Sequence, residues 1–89
     1  MVVLLGVMSM KAMKLYLIVR PDNGGYDTYD SAVVCASSPL DARHIHPTGR
    51  DWLRWDETWV SPARVKVIYI GRARCRLERG VVVASFNAG

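Results

Sequence analysis

The chain is short of almost everything that marks an enzyme, a membrane protein or a disulfide-bonded secreted domain. Its apolar opening, Met1–Met8, is far shorter than the ~20 residues a membrane-spanning helix needs. No basic segment precedes that opening and no small-x-small cleavage site follows it, so it does not read as a secretory signal. Cysteine is scarce: only Cys35 and Cys75 occur, both in apolar, strand-like surroundings, and reduced, buried thiols are expected. Acidic residues are nearly missing from the last third. Between Pro62 and Gly89 six Lys or Arg stand against Glu78 alone, whereas Met1–Ser61 holds six basic and seven acidic residues. This asymmetry suits either a solvated basic face or an acidic partner such as nucleic acid.

Catalytic grammar is equally sparse. Ser31, Ser61 and Ser85 lack a GxSxG context, and neither Cys sits in a motif that would lower its pKa. The carboxylates of Tyr26-Asp27-x-Tyr29-Asp30 have no neighbouring base, nucleophile or glycine-rich phosphate loop and are read as turn chemistry. His44 and His46, with Asp41, Asp51 or a cysteine, could ligate a metal only if extended. No CxxC or HExxH spacing supports such a site, and a histidine at a helix C-terminus suits the dipole. The expectation is a chain that is not an enzyme and carries no cofactor and no metal.

What is present fits a single small domain. Eighty-nine residues, 51% of them hydrophobic, can organise one core. Residues 1–13 read as a leader, either a frayed tail or an extra edge strand, and Met8, Met10 and Met13 offer alternative starts; residues 14–89 read as the domain. Lys14–Arg20 is apolar on both alternating faces, which predicts a central strand packed on two sides. Pro21–Gly25 reverses the chain, and Ser31–Ala36 is a second strand pairing antiparallel with the first. Ser38 as N-cap, Pro39 at the first helical position and Asp41 in the first turn predict a two-turn helix over Pro39–Ile45, with Leu40, Ala42 and Ile45 facing the sheet. Gly49–Pro62 is a long connection without strand periodicity. Val65–Ile70 is a third strand that alternation extends beyond Gly71, turning Ala73, Cys75 and Leu77 inward and Arg72, Arg74 and Arg76 outward. Val81–Phe86 is the fourth. The fold class is α+β, a four-stranded mainly antiparallel sheet with one short helix after strand 2; a small, strongly bent Sm-like barrel is the alternative.

Two surfaces attract functional readings. Arg72, Arg74, Arg76 and Arg79 could track a nucleic-acid backbone, since alternate strand residues lie about one single-strand phosphate repeat apart; charge protecting a strand edge is the simpler reading. Trp52, Trp55 and Trp59 follow helical i, i+3, i+7 spacing and either pack on the core or anchor a protein partner.

The C-terminal run Glu78-Arg79-Gly80-Val81-Val82-Val83-Ala84-Ser85-Phe86-Asn87-Ala88-Gly89 resembles the ending of a group of small uncharacterised phage and prophage proteins. Tyr26-Asp27-x-Tyr29-Asp30-Ser31-Ala32-Val33-Val34 and Trp59-Val60-Ser61-Pro62, followed by Val65-Lys66-Val67-Ile68, resemble the same group, so the likeness covers most of the chain from Lys14 onward. It implies a phage-gene origin and a start at Met10 or Met13, and it brings no activity, cofactor or binding residue. Together these readings lead to a non-enzymatic module that binds a protein partner or itself, in the host cytoplasm or on the virion. A nucleic-acid-binding accessory protein is the alternative. Neither a membrane nor a small-molecule substrate is indicated.

Overall fold

A computed structural model describes residues 13–22, 24–50, 57–74 and 77–88. Four antiparallel strands, β1 (Lys14–Val19), β2 (Thr28–Ala36), β3 (Lys66–Arg72) and β4 (Gly80–Asn87), form one open sheet in the order β3-β1-β2-β4. One short helix, α1 (Pro39–Arg43), follows β2, and a single 3₁₀ turn (Pro62–Arg64) leads into β3. The open α+β sheet is the fold expected from the strand pattern; the sheet does not close into a barrel.

Apart from register shifts at Asp30, Ile70 and Val82, the registers divide the sheet side chains between two faces. On one face Tyr69, Tyr16, Val34 and Val81 form a row across all four strands, and Val67, Ile18, Ala32 and Ala84 form the next. Helix α1 and the segments around Ile45, Trp59, Val60 and Val65 cover these rows. Ile18 and Val34 are wholly buried there, as are Ala36 and Ala42. The cover is tied down by hydrogen bonds. Tyr29 donates its amide to the Thr58 carbonyl at 2.8 Å, and Arg43 Nη1 donates to the carbonyls of Pro62 and Val65 at 3.0 and 2.7 Å.

The helix start obeys its sequence grammar. Ser38 is extended, and its hydroxyl accepts the Asp41 amide at 3.1 Å, with Pro39 opening the helix. The end comes earlier than the predicted Ile45. Only Pro39–Arg43 is helical, and His44 closes it with its Nδ1 2.9 Å from the Leu40 carbonyl oxygen. One turn and a half cannot present three residues to the sheet: Ala42 is buried and Ile45 is buried just beyond the helix, but Leu40 is 65% exposed. Replacing Ser38 with Ala is expected to lower stability by about 1 kcal/mol, read from the urea midpoint, because the Asp41 amide loses its acceptor.

β3 also departs from expectation. Alternation carries the pattern to Leu77, yet the strand stops at Arg72, and Leu77 is exposed. Past that point the chain must travel from one edge of the sheet to the other to begin β4. The Ala73 amide bonds to the Met13 carbonyl, Cys35 Sγ lies 3.7 Å from the Leu77 carbonyl oxygen, and Arg79 reaches helix α1. A connection that must pass two central strands cannot also continue an edge strand.

Candidate functional site

The face opposite the helix is the surface that sequence reasoning misses. Alternation in β1 predicts packing on two sides, whereas among the described residues only its Tyr16 and Ile18 side is covered. On the other side Ile68, Leu17, Val33 and Val83 lie in one row across the four strands. The rows on either side of it are Lys66-Val19-Ser31-Ser85 and Gly71-Leu15-Cys35-Gly80. Leu17 and Val33 in the middle are half-buried, while Ile68 and Val83 at the ends are 43% and 59% exposed. A shallow depression of about 110 Å³ lies over Leu17, Val33 and Val83, with Ser31 and Ser85 at its polar end. Ser85 Oγ donates to Asp30 Oδ2 at 3.4 Å. The signal is in the sequence, since Leu15, Leu17 and Val19 alternate with the core residues of β1. It reads there as a second packed side because sequence alone cannot count the layers that cover a sheet.

At the Cys35 end this face is closed by the chain leading to β4. Cys35 is a fully buried free thiol. Burial pushes its pKa up, and the Asp41 charge adds to the effect, so the thiolate required of a nucleophile is disfavoured. Cys75 lies outside the described residues.

The arginines do not line up as one strand row. Arg72 ends β3, and Arg74 follows outside the strand; both are exposed, and neither has an ion-pair partner among the described residues. Arg76 lies outside the described residues. Arg79 is engaged with helix α1, its Nε donating to Asp41 Oδ1 at 2.7 Å. Asp41 is a local hub, since its Oδ2 also accepts the Ser37 amide at 3.0 Å and the Ser37 hydroxyl at 3.1 Å. Burial alone would push the Asp41 carboxyl up. The Ser37 amide and the Arg79 guanidinium outweigh that and hold it below the ordinary carboxylate range.

The tryptophans separate in a similar way. Trp59 is 3% exposed and belongs to the core, where its indole Nε1 has no hydrogen-bond partner among the described residues. Trp52 and Trp55 lie outside the described residues. His46 is buried, its Nδ1 accepting the Thr48 amide at 3.1 Å, and its ring meets Tyr29 edge-on at 6.1 Å between centroids. His44 is exposed at the helix end. Among the described residues no three His, Cys, Asp or Glu side chains converge as a metal site, and no helix is long and apolar enough to cross a membrane.

A second charged cluster, also unforeseen, closes the β1–β2 turn. Arg20 and Arg64 both pair with Asp22 at 2.9 Å and hold its carboxyl below the usual range, Arg20 contributing most. The Arg20 guanidinium continues to the Tyr29 carbonyl at 3.4 Å. This ties the turn to the segment that leads into β3. The chain matches no family model, no curated protein and no solved structure.

Proposed function

We propose that this chain is a phage-derived contact module, without catalytic chemistry, that docks a protein through the open face of its sheet. The observation that carries the reading is the uncharged row Ile68-Leu17-Val33-Val83, running the full width of a sheet whose other face is already filled. A sheet in water needs only one packed face, and its solvent side is ordinarily polar. A row of four aliphatic side chains on that side costs solubility and gains something only when a partner covers it.

The alternative is nucleic-acid binding through Arg72 and Arg74, exposed at the end of β3 with no acidic partner among the described residues. Two isolated cations give weak, salt-sensitive attraction, and Arg79 is already bound to Asp41. The readings separate in one set of measurements. Under the docking reading, the neutral dye Nile red binds the native protein and brightens, Ile68→Lys removes most of that signal, and single-stranded and duplex oligonucleotides do not shift at ~0.15 M salt. A salt-sensitive shift lost in an Arg72→Ala/Arg74→Ala variant, with no dye binding, replaces docking with nucleic-acid recognition.

A further inference from the structure

We infer that this chain also pairs with a second copy of itself, β4 to β4, antiparallel, about a two-fold axis at Ser85, which sets the two open faces side by side for the docked protein. The inference rests on the contact-module reading and adds to it a second copy of the chain and the strand through which the copies meet.

The two edges of the sheet differ in what they permit. β3 carries Lys66 at one end and Arg72 at the other, both exposed. Pairing β3 with its own copy would bring the Lys66 end of one strand against the Arg72 end of the other, setting like charges together. That is how edge strands are kept apart. β4, eight residues long, has neither a charge nor a proline, and Val82, Val83 and Phe86 are 51%, 59% and 46% exposed. On its outer side no strand pairs with it among the described residues. An edge strand there presents unpaired amides and carbonyls.

The register of β4 also selects the axis. Val33 faces Val83 but Val34 faces Val81, so Val82 is an extra residue that kinks β4. Beyond the kink, Val83–Asn87 has no extra residue of its own, the second register shift lying in β2, where Asp30 is the extra residue opposite Ser85–Phe86. The midpoint of Val83–Asn87 is Ser85. Antiparallel pairing about Ser85 sets Val83 opposite the copy's Asn87 and Ala84 opposite the copy's Phe86. Phe86 already packs on Tyr29 with ring centroids 4.9 Å apart, and its exposed side would then lie beside the small Ala84 of the copy. Large against small is the complementarity a close strand pair needs. On the other face the aliphatic rows of the two copies meet, giving an eight-stranded sheet with a doubled open face.

Assembly stops at two. The outer edges of the pair are both β3, with Lys66 and Arg72, so the arrangement closes instead of growing into a fibre. Five residues a side make a small contact, in the weak class below ~1,200 Å² of total buried surface, so association is expected in the micromolar range.

The test is light scattering on the full chain over ~5–500 µM, the range in which such a contact fills. The wild type is expected to pass from monomer to dimer. Ser85→Lys and Ser85→Glu, each placing like charges across the axis, should weaken dimerisation about tenfold or more while leaving the far-ultraviolet circular dichroism unchanged. Mixing the two variants in equal amounts should restore a dimer, because an ammonium then meets a carboxylate across the axis. Three results overturn the inference: a wild type that stays monomeric across the range, a Ser85→Lys variant that dimerises like the wild type, or a mixture that stays monomeric. If Ser85→Lys leaves the dimer intact and Ile68→Lys dissolves it, the copies meet face to face; β4 pairing is then wrong, while docking through the open face stands. A monomer that still brightens Nile red likewise removes the second copy and keeps the docking face, whereas a monomer that does not removes both.

Discussion

Replacing Ile18 with Ala is expected to lower the unfolding free energy by about 2–5 kcal/mol, whereas the same change at Leu17, the next residue, should cost less than about half as much. Ile18 is wholly buried between Ala32 and Val67 and roofed by the helix layer, so truncation leaves a cavity its neighbours can only partly refill. Leu17 points to the open face, and water replaces what is removed. A domain of this size holds on the order of 5–10 kcal/mol in total, so Ile18→Ala should remove a large part of its stability at room temperature. Urea titrations of the two variants read the contrast as a shift in midpoint at similar slope. Equal losses at the two positions would mean that Leu17 is covered as well, which removes the surface on which docking depends. A larger loss at Leu17 would reverse the assignment of the two faces.

The contrast also marks how far alternation alone can be read. The existence and type of all four strands are legible, because Val, Ile and Tyr alternate or run together between Gly and Pro punctuation. The central place of β1 is legible from its apolar residues on both faces. Packing on both faces does not follow, because among the described residues a single helix of five residues and two connecting segments make only one covering layer. Leu40 shows the same limit on a smaller scale. It has the right residue type and spacing for the core, and it is exposed because the helix ends before it completes a second turn.

The charged residues follow a related rule. Arg72 and Arg74 keep the exposure that alternation predicts, but the even spacing along one strand is lost where the chain leaves β3 to reach β4. Sequence proximity groups Arg79 with them. Its partner is Asp41, 38 residues earlier, and a pairing across that separation depends on the chain returning past helix α1 on its way into β4. The signal for Asp41 itself is present in Ser38-x-x-Asp41, a helix-start pattern. The reach of its carboxylate back to Ser37 and out to Arg79 is not.

Asp41 therefore carries the second large effect, one that pH reveals. Asp41→Ala is expected to cost about 1–2 kcal/mol at pH 7, chiefly by leaving the Ser37 amide without its acceptor. Arg79 is 38% exposed, so its ion pair, screened by solvent, accounts for less than about 1 kcal/mol of that. Because the folded protein holds the Asp41 carboxyl below its unfolded value of ~3.9, this stabilisation is fully present above pH ~5 and is lost as pH falls through the folded value. Asp41→Asn keeps the shape and removes the titration. The stability gap between wild type and Asp41→Asn should thus narrow steadily as pH falls below about 5, measured by thermal unfolding at each pH. Asp22→Asn serves as the comparison, since Asp22 titrates in the same direction on an exposed turn away from the helix. Should the Asp41→Asn gap stay constant across that range while the Asp22→Asn gap closes, the acid sensitivity of the fold belongs to the β1–β2 turn and not to the helix start.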